Sequence, residues 1–191
     1  SVDGDSFNDA ACEWFTDEQG ADYFHTGSIP TYNVPNNSLS STQNPYTIAV
    51  NGLAYAGMAI ARQESDGEIL FGGELIYGEI NTPLLPNTNY QLSFLVLKSA
   101  PTVVNAEIQA CFINETTGGL PFNQFDITTT DLILPPDSIL LDNNSMVSSN
   151  TEWQQIVFTF NTGNAAGHNY LYIGGLVNPQ FNNVIPPLTS L

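Results

Sequence analysis

An all-β fold of two antiparallel sheets packed as a sandwich, with long loops, is predicted by three features of this sequence. Several stretches of strand length alternate apolar and polar residues and are rich in β-branched and aromatic side chains. No stretch combines a helical apolar stripe with capping residues. The twelve prolines fall between the strand candidates, where a missing N–H does least damage. Seven or more strands without crossover helices bury their apolar faces as two stacked layers. At 191 residues, 42% of them hydrophobic, the chain suits one such domain over residues 1–191.

In chain order, the first 45 residues carry little regular pattern, with Asn36-Asn37-Ser38 and Ser40-Ser41-Thr42 typical of them. Tyr46 to Val50, Leu53 to Ala61, Glu68 to Ile76, Thr88 to Leu97, Ala106 to Ile113, Trp153 to Phe160 and Asn169 to Leu176 then read as strands bounded by Gly, Pro or Asn clusters. Two of them alternate cleanly. Tyr90, Leu92, Phe94 and Val96 share one face of the fourth, and Ile156, Phe158 and Phe160 share one face of the sixth. In the third, Gly72-Gly73 invites a bulge. The segment 114–150, rich in Gly, Pro, Thr, Asn and Asp, reads as a long surface excursion. Short helical turns fit only at Asp9 to Thr16 and Thr129 to Ile133.

Charge removes whole classes of partner. Nineteen acidic side chains face two basic ones, Arg62 and Lys98, for a net charge of −17. Nucleic acid requires cations to neutralise phosphates and is excluded, as are anionic membrane surfaces and phosphate cradles. Neutral ligands and divalent cations remain. No run of about 18 apolar residues is present, so no membrane insertion is expected. The start shows no signal peptide, although the piece fits the processed form of a longer chain. Asn, Thr and Ser supply 52 residues, a surface composition suited to a secreted or cell-surface location.

Cys12 and Cys111 stand 99 positions apart. Paired, they close a loop worth on the order of 4–5 kcal/mol in the chain-entropy account; unpaired, they are two buried thiols in β-structure. Neither belongs to a zinc set. Trp14, Tyr23, Phe24, His25 and Tyr32 lie among Asn and Thr in the loop-like N-terminal region and form a candidate ligand-binding platform. Aromatic rings stack on the C–H faces of neutral sugars while amides reach the hydroxyls. The alternative places Trp14, Tyr23 and Phe24 in the core beneath a long loop. Catalysis is not expected. Glu68, Glu74 and Glu79 read as strand carboxylates, and His25 and His168 have no nucleophile motif beside them.

Ordered blocks along the chain resemble a jelly-roll domain of secreted, multidomain surface proteins of the Bacteroidetes, akin to galactose-binding-like and carbohydrate-binding-module sandwiches. They are Gly4-Asp5-Ser6-Phe7-Asn8-Asp9 followed by Cys12 and Trp14, then Ala21-Asp22-Tyr23-Phe24, Val34-Pro35-Asn36-Asn37 and Gly52-Leu53-Ala54-Tyr55-Ala56-Gly57. Next comes Glu74-Leu75-Ile76 through Thr82-Pro83-Leu84 to Tyr90-Gln91-Leu92-Ser93-Phe94, and finally Glu152-Trp153 to Phe160 and Leu171-Tyr172-Ile173-Gly174. Asn87 stands where the resembling turn carries Gly, a position that tolerates Asn.

The resemblance implies a jelly-roll sandwich and a non-catalytic, adhesin-like module binding a neutral glycan or a surface protein. It also implies a possible structural calcium, with Asp3, Asp5 and Asp9 as the carboxylates beside the first strand. Asp137-Ser138-Ile139 matches a short Bacteroidetes O-glycosylation pattern, making Ser138 a candidate modification site. The closing "I-D-D-V" strand of that family is missing here, which motivates an alternative reading: an assembly subunit whose open sheet edge takes a strand from a donating partner. A glycosidase or lyase on the same fold is the weaker alternative.

Overall fold

The computed structural model of the chain describes residues 14–16, 21–27, 34, 52–58, 60–63, 69–71, 74–98, 106–114, 137–141, 146–147, 152–165 and 167–175. Among them the protein is all-β, with no helix and with every strand pair antiparallel. The strands are β1 (Trp14–Thr16), β2 (Asp22–His25), β3 (Ala54–Gly57), β4 (Ala61–Gln63), β5 (Ile69–Phe71), β6 (Leu75–Glu79) and β7 (Asn89–Val96). They continue as β8 (Ala106–Glu107), β9 (Gln109–Ile113), β10 (Ile139–Leu141), β11 (Met146–Val147), β12 (Gln154–Asn161) and β13 (Tyr170–Gly174).

The main body is a five-stranded sheet in the order β1-β6-β13-β9-β10. Its register builds cross-strand rows. Phe15, Tyr77, Tyr172, Cys111 and Leu140 form one, with Phe15–Tyr77 and Tyr77–Tyr172 centroids 5.6 and 5.2 Å apart. The rows on either side, including Ile76, Ile173, Ala110 and Leu141, and Trp14, Leu171, Phe112 and Ile139, project to the opposite face, as the two-residue period requires. The two faces feed two separate hydrophobic clusters, one around Tyr172, Leu75, Cys111 and Ile113, the other around Phe112, Ala110, Leu171 and Ile173. Every residue of β9 is consequently buried.

The larger cluster is shared with the ribbon of β7 and β12, which pair over eight residues each. Tyr90, Leu92, Phe94 and Val96 meet Ile156, Phe158 and Phe160 on the inner face, and Phe112 of β9 stacks on Phe160 at 5.3 Å. Asn89, Gln91, Ser93, Leu95, Gln155, Val157, Thr159 and Asn161 face outward and are exposed. A hydrogen-bonded corner fixes the entry to the ribbon. The Leu84 amide donates to the His168 carbonyl at 2.9 Å, and the buried Thr162 hydroxyl donates to Leu85 O at 2.7 Å while accepting from the Thr88 amide at 3.0 Å. Asn87 in that turn has φ 50°, the left-handed conformation that the sequence reading allowed for Asn.

Several sequence-based expectations need correction. Trp14–Thr16 is a strand paired with Gly78 to Ile76, not part of a helical turn, because the ladder to β6 supplies the backbone partners a lone helical turn lacks. The stretch from Glu68 to Ile76 divides: Ile69–Phe71 pairs with β4, while Leu75–Glu79 joins β1 and β13. Leu53 to Ala61 likewise supplies β3 and the first residue of β4, and the 114–150 excursion contains β10 and β11. The strand expected at Tyr46 to Val50 and the turn at Thr129 to Ile133 lie outside the described residues, as do Asp3, Asp5, Asp9, Cys12 and Tyr32. No helix among the described residues is long and apolar enough to cross a membrane.

Candidate functional site

Three of the candidate platform residues, Tyr23, Phe24 and His25, lie on the ribbon of β2 and β3. Asp22-Tyr23-Phe24-His25 favours an extended chain, since aromatic rings pack well on a pleated surface. Its register against β3 pairs Tyr23 with Ala56, Phe24 with Tyr55 and His25 with Ala54. Alternation then sorts the side chains. Phe24 and Tyr55 share one face, stacked at 5.1 Å, and Tyr55 meets the edge of Trp153 at 5.9 Å. Tyr23 and His25 share the other face, centroids 6.0 Å apart and ring planes within 12° of parallel. The residues opposite them are alanines, so neither ring is overshadowed by its cross-strand neighbour.

The start of this ribbon is anchored. The Ala21 amide donates to Thr16 Oγ1 at 2.7 Å, and that hydroxyl donates to Leu75 O at 2.9 Å, tying β2 to β1 and β6. Asp22, on the Phe24 face, has its carboxyl pKa pushed above 3.8 by burial. At the far end the Thr26 amide donates to Leu53 O at 3.1 Å, and the Gly27 amide donates to His25 Nδ1 at 2.9 Å.

Of the five platform residues, Tyr23 and His25 come together on a half-exposed face. Phe24 does not join them: it is 0% exposed and plugs the space beneath the ribbon. Trp14 is half-buried against the larger hydrophobic cluster. The residues that sequence reasoning overlooked are Ala54, Ala56 and Gly27, whose small size gives the rings room. Their signal was present in the alternation of Ala54-Tyr55-Ala56 and in the glycine two residues after His25.

The remaining candidates stand apart. Cys111 is a free thiol, fully buried in the middle of β9, while Cys12 lies outside the described residues. Burial pushes this thiol up to about 12, opposed by the neighbouring Ser138 hydroxyl. Ser138, the candidate modification site, is half-buried with its Oγ shielded from solvent. His168 is 1% exposed, with Nε2 2.6 Å from the Asp137 carbonyl. Glu79 is exposed and Glu74 half-buried, while Glu68 lies outside the described residues. The described residues contain no cluster of three or more His, Cys, Asp or Glu able to hold a metal ion. No protein-family model, curated protein or solved structure matches the chain.

Proposed function

We propose that this chain is a non-catalytic extracellular binding module, built as a jelly-roll sandwich, that takes a neutral glycan on the Tyr23–His25 face within a secreted or surface-exposed, adhesin-like protein. The observation that carries the reading is the pair of near-parallel, part-exposed rings standing opposite Ala54 and Ala56. A sugar's C–H face stacks on such rings, while the Tyr23 hydroxyl and the His25 imidazole supply polar atoms at the rim. A net charge of −17 favours a neutral ligand over a polyanion. The hydrophobic cluster shared by the five-stranded sheet and the β7–β12 ribbon supports the sandwich.

Affinity electrophoresis through gels containing neutral polysaccharides tests the reading. The wild-type protein is expected to be retarded, Tyr23→Ala and His25→Ala to migrate freely, and Leu95→Ala, on the outer face of β7, to behave as wild type. A wild-type protein retarded by no neutral polysaccharide overturns the proposal.

A further inference from the structure

Resting on the glycan reading, we infer that Gly27 is a positioning residue that fixes His25 in its Nε2–H tautomer, so that this face offers a hydrogen-bond donor and selects a ligand oxygen that accepts. A backbone amide only donates. With Gly27 N 2.9 Å from Nδ1, that ring nitrogen is the acceptor, and in the neutral imidazole the proton then resides on Nε2. The bond spans two residues and closes the end of β2, where the Thr26 amide has turned toward Leu53 O. It sets the rotation of the ring as well as its tautomer.

Space reinforces the hydrogen bond. A Cβ on residue 27 would stand 3.2 Å from Nδ1 and 3.4 Å from Cε1, tighter than ordinary contacts, so glycine lets the backbone approach this edge of the ring. The Nδ1 edge is thus occupied by the protein's own backbone. Nε2, distal on the imidazole, carries the donor left for a ligand. The Nε2–H lies in the plane of the imidazole, so a ligand oxygen meets it at the rim of the ring and not over its face. The matching group is a hydroxyl or ring oxygen in its accepting role.

The tautomer is read directly by nitrogen-15 NMR of the histidine side chains at about pH 8, above the ordinary imidazole range. His25 is expected as the Nε2–H form in the wild type and as a mixture in Gly27→Ala. Two further variants separate the nitrogens, with galactomannan gels as the binding probe. His25→Asn keeps an acceptor for the Gly27 amide but is too short to place a donor at the rim; His25→Gln places an amide N–H near the position of Nε2. Glutamine is expected to retain about tenfold more affinity than asparagine, the loss of one good ligand hydrogen bond. A wild-type His25 in the Nδ1–H form, or asparagine binding as well as glutamine, overturns the inference and leaves the glycan reading standing. A wild-type Nε2–H form with no retardation in galactomannan or any other neutral polysaccharide overturns the glycan reading and the donor role with it.

Discussion

Replacing Thr162 with valine removes one hydroxyl and leaves shape, volume and β-branching in place. Thr162 is 4% exposed and follows β12 directly. Its Oγ1 donates to Leu85 O at 2.7 Å and accepts from the Thr88 amide at 3.0 Å, while its own amide donates to Thr88 O at 3.1 Å. The hydroxyl therefore closes the 85–88 turn, which holds Asn87 at a positive φ. Valine abolishes two hydrogen bonds and strands two backbone groups, at a net cost of about 2–3 kcal/mol. With a urea slope of about 2 kcal/mol per molar, the midpoint falls by about 1–1.5 M. In a thermal melt the same loss lowers Tm by about 4–12 °C for a chain of this size. Serine keeps the hydroxyl and should recover most of the loss. A valine variant within about 0.5 kcal/mol of wild type at an unchanged slope refutes the claim that this hydroxyl holds the turn.

Three further outcomes are expected. Gly174→Ala sets a Cβ 2.8 Å from Glu74 O and 2.9 Å from Leu75 Cβ, so β13 must shift from β6 at a cost of about 1–3 kcal/mol, read as a lowered urea midpoint. Burial raises the Asp22 carboxyl above 3.8, so its stabilising contribution is complete below that value and is lost as pH rises through its folded pKa. Asp22→Asn should therefore gain stability relative to wild type as pH climbs from about 4 to 7, and a constant difference between the two urea midpoints would contradict this. The Cys111 thiol moves from 9.0 up to about 12, so folding is favoured below 9.0 and that contribution drains away as pH rises through the shifted value. In a Cys12→Ser background, Cys111 should resist a thiol reagent in the native state and react fully in denaturant; rapid native labelling would deny the burial.

The parts of the fold legible in the sequence are those where one face of a strand is buried. β7 and β12 alternate along their length, so Tyr90, Leu92, Phe94, Ile156, Phe158 and Phe160 declared their direction in advance. β9 does not alternate, because both faces of its sheet are covered, and it reads only as an apolar run. β1 and β10 escaped the sequence reading because each has three residues and owes its conformation to a partner far along the chain, Tyr77 for Phe15 and Cys111 for Leu140. The division of Glu68 to Ile76 was half visible in Gly72-Gly73, but the assignment of its halves to different sheets depends on pairings no local pattern encodes. In the candidate site, alternation separates Tyr23 and His25 from Phe24. Which side points inward is decided by Tyr55 and Trp153, both distant in sequence.

Burial on both faces of the five-stranded sheet also restricts where recognition can occur. Most described side chains of this sheet are buried or half-buried in one of the two hydrophobic clusters, and the glycan site proposed above accordingly lies on a smaller ribbon. The outer face of β7 and β12 carries amides, hydroxyls, Leu95 and Val157 but no aromatic ring. It offers hydrogen-bonding groups but no ring on which a sugar's C–H face stacks. Phe15 on β1 is 39% exposed and stacks on the half-buried Tyr77 at 5.6 Å, its own ring carrying no polar atom. The β2–β3 ribbon joins both requirements in one place, with Tyr23 and His25 raised beside two alanines and one imidazole nitrogen already occupied by Gly27. Phe24 and Tyr55 pack on the opposite face of this ribbon, 5.1 Å apart, and the Gly27 amide restrains the His25 ring, so on the proposed reading less side-chain entropy remains to be lost when a glycan binds.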